Sequence, residues 1–322
     1  MKKVLISGYY GFNNIGDEAV LASMIQALGD VSPDVQITVL SDNPERTEKQ
    51  YRVRAINRWS KKEISKELKE CDLFISGGGS LLQDVTGPKS ILYYLALIRL
   101  AVWYKKPVMF YAQGIGPVQR PWARKLLARV ANRAALITVR DEGSRDDLLQ
   151  MGVKNPAIHV TADPVLGWEC EEETDPGEIL SRAGAEKRPS VGVSLRGWEG
   201  IKPGEIAQVC DWIAAQGFQV ILLPFHFPCD IAICRDVAKL MKQEYCLLKE
   251  NLSPAEMMNL VGKMHLIIGM RLHALIMAAA QGVPFVGLSY DPKVDRFIRQ
   301  AGQIEGCTVE NLTASSLQAQ VE

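Results

Sequence analysis

The chain has 322 residues, 47% of them hydrophobic, and its 37 basic side chains balance 37 acidic ones, for a formal net charge of zero. That balance lacks the basic field that nucleic-acid binding needs, and the length exceeds what a single core commonly holds, so two domains are expected. Seven scattered cysteines without a CxxC pair argue against a zinc knuckle and fit a reduced, cytoplasmic protein.

The amino-terminal run reads as a first strand, Val4–Ser7, and not as a signal peptide. No apolar stretch approaches the roughly 18 to 20 residues that span a bilayer. The loop GYYGFNNIG follows, and then a helix over 17–28. Gly8, Gly11 and Gly16 do not make GxGxxG, so a dinucleotide site is not expected. Asn13, Asn14 and Asp17 could hydrogen-bond a sugar. Equally, the loop could be a tight turn with an acidic helix start.

A strand over 36–40 and a charged helix over 61–70 precede the strand 72–76, which runs into Gly77, Gly78 and Gly79. Three glycines at a strand's carboxyl end predict the close approach of another backbone or a ligand. After a long helix over 89–105, the strand 108–112 ends at Gln113, a neutral candidate for reading a sugar hydroxyl. A basic helix over 121–135 leads to strands 136–139 and 157–160. Arg140, between them, is expected to pair with Asp141 or Asp163 as scaffold. Alternation of this kind predicts right-handed βαβ units and a parallel sheet covered on both faces.

The alternation breaks over 168–189, where ECEEETDPGE gathers acids with proline and glycine, and the domain linker is expected there. The expected domains are therefore 1–168, a linker 169–189, and 190–322. Strands over 190–195, 219–223, 245–248, 265–269 and 285–289 make a second series. The fold class expected is α/β, with two Rossmann-like doubly wound domains facing a cleft at their strand carboxyl ends.

Inside the second series, HLIIGMRLHALIMAAAQGVPFVGLSYDPKV places Arg271 and His273 where a strand turns into an apolar helix. A helix start favours an anion, an arginine adds a two-pronged donor, and a histidine can deliver a proton near neutral pH. The alternative is a snorkelling Arg271 with a hydrogen-bonded core His273. Arg196 ends the strand of GVSLRGW, and Lys293 follows SYDP. With Arg271 they suit a small polyanion. His226 in PFHFP is a further loop histidine. The residue patterns suggest no metal site.

Two helices bear on location. SILYYLALIRLAVWY is nearly all apolar, and QRPWARKLLARVANR sets arginines 120, 124, 129 and 133 beside Trp122 and Leu126. An apolar stripe next to a basic face suits an anionic membrane surface. Two crossover helices packed on the sheet are the favoured alternative.

Together, GYYGFNNIGDEA, ISGGGSLLQD, AQGIGP, VRDEGS, VSLRGW and GMRLHALIMAAAQGVPFVGLSYDPKV resemble the polysaccharide pyruvyl transferases. The resemblance points in particular to the bacterial cell-wall (CsaB-type) members, which modify the polymer that anchors surface-layer proteins. These motifs run in family order across nearly the whole chain. The resemblance implies a glycosyltransferase-B-like fold and transfer of the three-carbon unit of phosphoenolpyruvate (PEP) to a sugar as a pyruvate ketal. It further implies a lipid-linked, N-acetylmannosamine-containing acceptor at the inner face of the cytoplasmic membrane, and no cofactor. PEP is associated in the family with an arginine matching Arg196 and with the Arg-Leu-His matching Arg271 and His273. On this reading Arg196, Arg271 and Lys293 bind PEP, and His273 is the general acid. Asn14, Asp17, Gly78, Gly79 and Gln113 face the acceptor. One departure is expected beyond Glu310, where members often add a further helix and this chain reads as truncated. The runner-up is a nucleotide-sugar glycosyltransferase of the same architecture, and a third reading is a non-catalytic carbohydrate-binding protein.

Overall fold

The computed structural model describes the whole chain except residues 86, 171–174, 187 and 304–305. The chain folds as two compact units, Met1–Phe12 with Asp17–Trp168, and Asn13–Gly16 with Glu169–Glu322.

The first unit is built on β1 (Lys3–Tyr10), β2 (Gln36–Ser41), β3 (Arg54–Asn57), β4 (Leu73–Ser76), β5 (Gly79–Leu82), β6 (Val108–Ile115), β7 (Leu136–Val139) and β8 (Ile158–Val160). Their order is β3-β2-β1-β4-β6-β7-β8, with β5 beside β6, and each pairing is parallel. Central strand β1 is buried at every position from Val4 to Gly8. It reads as an apolar run because a parallel sheet is covered on both faces. The Pro88–Trp103 helix supplies Tyr94, Leu95 and Ile98 to the core, and the Pro121–Ala131 helix supplies Leu127 and Val130.

Three elements of this unit go beyond the sequence expectation. The Pro44–Tyr51 helix buries only Thr47, so it has no apolar stripe to reveal it, and Asn43 starts it by accepting the Arg46 N–H. The four residues of β3 have polar ends. Strand β5 begins inside the glycine run, where a loop is expected.

The second unit holds β9 (Ser190–Ser194), β10 (Gln219–Leu222), β11 (Tyr245–Leu247), β12 (Leu266–Gly269) and β13 (Phe285–Gly287). They lie in the order β11-β10-β9-β12-β13, again all parallel. The Leu272–Ala280 helix buries six of its nine residues, which accounts for its nearly unbroken apolar sequence. Within the segment expected as linker, Pro176–Arg182 forms a helix capped by the Asp175 side chain, while residues 171–174 and 187 lie outside the described residues. A helix also follows Glu310. Ala314–Val321 starts at a reciprocal Thr313–Ser316 cap and is tied to Glu205 through the Ala314 N–H (2.6 Å).

All seven cysteines are free. Five are buried, Cys170 is half-buried and Cys229 is exposed. Burial pushes the Cys71 thiol up to about 11 and those of Cys210 and Cys234 up to about 12.

Candidate active site

Parallel strands deliver their loops to one edge of a sheet. In the second unit β9, β12 and β13 are neighbouring strands. Arg196 and Arg271 stand just after β9 and β12, and Lys293 in the first turn of the helix that follows β13. The Arg196 guanidinium donates to the Tyr290 hydroxyl (3.0 Å) and lies over the rings of Trp198 (5.0 Å) and Tyr290 (5.3 Å). Among the described residues no carboxylate pairs with it. Lys293 Nζ sits 5.2 Å from the same Tyr290 ring and 3.2 Å from Asp291, which also caps the Pro292–Gln300 helix. Tyr290 is thus shared by both cations.

Arg271 is held differently. Asp230, 1% exposed, accepts its Nε (2.9 Å) on Oδ2 and its Nη2 on Oδ1. The carboxylate is itself fixed by the Phe225 N–H (3.2 Å) and the His226 N–H (2.8 Å). This buried pair has the added hydrogen bonds that such pairs require. Asp230 takes two of the five guanidinium N–H donors. The other three have no partner among the described residues. The snorkelling alternative does not hold, because only 13% of the Arg271 side chain is exposed. Ser194, fully buried at the end of β9, has an Oγ without a hydrogen-bond partner among the described residues.

His273 is the second residue of the Leu272–Ala280 helix, whose N-cap is Arg271. It packs against the Asn13–Gly16 segment of the same unit. A methyl group on Gly16 would lie 2.1 Å from His273 Nδ1, so only glycine fits there. That segment is anchored by the Ile15 N–H to the Phe225 carbonyl (2.9 Å) and by the Phe227 N–H to the Asn13 carbonyl (3.1 Å). Asn14 forms an isolated antiparallel bridge with His226, and its side chain accepts the Gly16 N–H (3.3 Å).

The other expected acceptor residues gather in the first unit, at the ends of β1, β4 and β6. Here the three glycines accommodate the protein's own side chains. Added methyl groups would meet Tyr10 Oη at Gly77 (2.2 Å), Val20 at Gly78 (2.7 Å) and Asp17 Oδ1 at Gly79 (2.8 Å). Gly79 also has φ +85°, the left-handed region that glycine favours. Gln113 is fully buried, and its amide donates to Gly77 O (2.6 Å) and Ser76 Oγ (2.9 Å), so it shapes the glycine turn. Gln113 Oε1, Ser7 Oγ and Tyr10 Oη are buried without a hydrogen-bond partner among the described residues. Burial pushes the Tyr10 phenol well above its usual range, and Asp17 adds to the shift.

Arg140 has its expected scaffold role. It pairs with Asp163 (3.1 Å) and packs on Gly114, where a methyl group would lie 2.6 Å from its Nη2. The basic helix packs Ala123, Leu127 and Val130 into the core. Two of its arginines do not face freely outward as the membrane reading expects. Arg120 binds the Asp84 carbonyl (2.7 Å) and Arg124 the Val118 carbonyl (3.2 Å). Lys125, Arg129, Arg133 and Trp122 are exposed.

Asp230, Tyr290 and Ser194 are not marked in the sequence. An acid four residues after His226 and a tyrosine just beyond a strand carry no local signal. Their partners lie 41 and 94 positions away.

Residues 14–292 match the family described as polysaccharide pyruvyl transferase. The amylovoran biosynthesis protein AmsJ of Erwinia amylovora is 24% identical over 280 residues, covering 80% of this chain and 66% of that protein, so the chain spans just under two thirds of that relative's length. Among solved structures, a putative UDP-N-acetylglucosamine 2-epimerase from Listeria monocytogenes superposes with a TM-score of 0.67 at 14% identity, covering 100% of this chain and 89% of that one. HepE of Anabaena, solved with UDP and glucose, gives 0.61 at 14% identity, covering 100% and 90%. The ADP-heptose heptosyltransferase II of E. coli gives 0.57 at 14% identity, covering 100% and 97%. These likenesses establish a glycosyltransferase-B-like α/β fold.

Proposed function

Because the chain belongs to the polysaccharide pyruvyl transferase family, we propose that it moves the three-carbon unit of PEP onto a saccharide, forming a pyruvate ketal and releasing phosphate. What carries this reading is the set of three cations at the ends of β9, β12 and β13. Arg196 has no carboxylate partner among the described residues, and Arg271 is oriented by Asp230 with donors to spare. PEP bears a carboxylate and a phosphate, and it needs fixed cations for both.

His273, at the start of the helix capped by Arg271, is the proton donor to the methylene carbon of PEP. That proton makes the central carbon electrophilic, and a sugar hydroxyl adds to it with loss of its own proton. The C–O bond to phosphate then breaks, and a second hydroxyl closes the ketal. Of the two hydroxyl protons released, one restores His273 and the other leaves with phosphate. On the acceptor side stands Asp17, in the first unit, beside the Gly78–Gly79 turn that Gln113 shapes.

The acceptor proposed is an N-acetylmannosamine residue of a lipid-linked cell-wall polymer precursor, met at the inner face of the cytoplasmic membrane. Among the described residues no helix is long and apolar enough to cross a membrane. Exposed Trp122, Lys125, Arg129 and Arg133 support contact with an anionic lipid surface.

The test is to incubate the chain with PEP and a panel of N-acetylhexosamine acceptors, following phosphate and product mass. Ketal formation matched by phosphate release is expected. His273→Gln should stay folded and lose about 10² to 10⁴-fold in turnover. Turnover of UDP-sugars with release of UDP, and none of PEP, would replace this reading with glycosyl transfer.

A further inference from the structure

The first unit carries a second feature at its carboxyl edge, on the loops after β1, β2 and β3. Arg58, 4% exposed, is buried there without a carboxylate partner among the described residues. Four aromatic rings surround it. Its guanidinium carbon lies 4.5 Å from the centre of Tyr93, 5.0 Å from Phe12, 5.3 Å from Trp59 and 5.7 Å from Tyr94. It donates to the Gly8 carbonyl (3.0 Å) and the Tyr94 hydroxyl (3.3 Å). Its Nε is buried with no hydrogen-bond partner among the described residues.

The rings fixed on this cation continue outward. Tyr9 stacks on Phe12 with centres 4.1 Å apart and planes 8° from parallel. Trp59 is 61% exposed and packs on Tyr93 at 5.1 Å. A single exposed aromatic residue means little. Here Trp59 is backed by the half-buried rings of Tyr9, Phe12 and Tyr93, held around a buried charge at the sheet's carboxyl edge.

We propose that Tyr9, Phe12, Trp59 and Tyr93, set in place by Arg58, form a stacking platform for a sugar ring of the acceptor. A pyranose has an apolar C–H face and a rim of hydroxyls. Flat rings meet the face, and polar groups beside them meet the rim. Here the rim is met by the exposed Asp42, whose Oδ1 accepts Trp59 Nε1 (3.2 Å), and by the exposed Asn43. This polar border argues for a saccharide over a lipid tail. The rings are already fixed, so little further ordering opposes binding. The proposal rests on the acceptor being a saccharide.

The experiment omits PEP, so its outcome is independent of whether pyruvyl transfer occurs. The full chain is titrated with hexose and N-acetylhexosamine mono- and disaccharides, read by calorimetry and saturation-transfer NMR. At least one disaccharide should bind, with saturation concentrated on the C–H protons of one ring face. Trp59→Ala and Phe12→Ala should each weaken it at least tenfold, and Trp59→Phe should retain most of the affinity. Circular-dichroism melting identifies any variant that fails to fold, and Trp59, being exposed, leaves at least one variant that tests the idea. Three outcomes overturn the proposal: no saccharide binds, binding is indifferent to Trp59→Ala, or uridine diphosphate or phosphatidylglycerol vesicles depend on these rings instead.

Discussion

Asp230 grips Arg271 with both carboxylate oxygens while its own backbone neighbours, Phe225 and His226, donate to it from behind. The direction of the guanidinium is therefore set by a residue with no local mark in the sequence. Removing the acid alone leaves a buried cation without compensation. Asp230→Ala should cost about 3 to 5 kcal/mol of stability in urea unfolding. The double variant Asp230→Ala/Arg271→Leu should lose clearly less than the two single losses added together. Strict additivity would mean that the pair contributes no coupling.

Gly16 and His273 make a second, steric relationship. With 2.1 Å between an added methyl group and Nδ1, Gly16→Ala forces either the imidazole or the Asn13–Gly16 segment to move. The His273 ring resonance, assigned by its absence in His273→Gln, should shift in Gly16→Ala while that of exposed His159 does not. Turnover should fall in the same variant. An unmoved resonance would show that the packing there is slack.

Arg196 stands among rings, so its replacements should not be equivalent. Arg196→Ala should weaken PEP binding by about 1.5 to 3 kcal/mol, the worth of a charge-assisted hydrogen bond. Arg196→Lys should not restore it, because an ammonium lacks the planar fork that lies on Trp198 and Tyr290. Tyr290→Phe removes only the hydroxyl and should cost about 0.5 to 1.5 kcal/mol. Calorimetry separates the three, and full affinity in Arg196→Ala would put the anion elsewhere.

The Asp84 carboxyl is buried, which by itself raises its pKa. The backbone N–H groups of Gln119 and Arg120 (2.8 Å each) and the Arg120 guanidinium outweigh that and bring it below the usual carboxylate range. A lowered carboxyl stabilises the fold above its unfolded pKa of about 3.9, and the contribution is lost as pH falls through the lower, folded value. Asp84→Asn should therefore be less stable than the parent at neutral pH, by about 1 to 3 kcal/mol. The gap should close on acidification. A gap independent of pH would assign the loss to packing.

How much of the fold is legible in the sequence depends on where the chain buries itself. Val4–Ser7, Leu136–Val139 and Leu266–Gly269 lie inside parallel sheets and read as apolar runs. Strand β3 and the Pro44–Tyr51 helix lie at the sheet's flank, with too little apolar pattern to reveal them. The site divides in the same way. Arg196, Arg271 and His273 stand out as charged or titratable groups emerging from apolar strands. Asp230 and Tyr290 act through hydrogen bonds spanning 41 and 94 residues, which no local window records. The glycine run after β4 suggests room for a ligand, but the vacated space is occupied by Tyr10, Val20 and Asp17.

The distribution of thiols has a practical consequence. Five of the seven cysteines are buried and Cys170 is half-covered, which leaves Cys229 as the one exposed thiol. It sits next to Asp230, with its sulfur 4.0 Å from His226 Nε2. A maleimide dye offered to the native protein should couple there first, without engineering. Bulk introduced beside the Asp230–Arg271 pair makes the label a spectroscopic handle on whether that loop is occupied. Slower coupling in the presence of PEP would report binding before any product is formed.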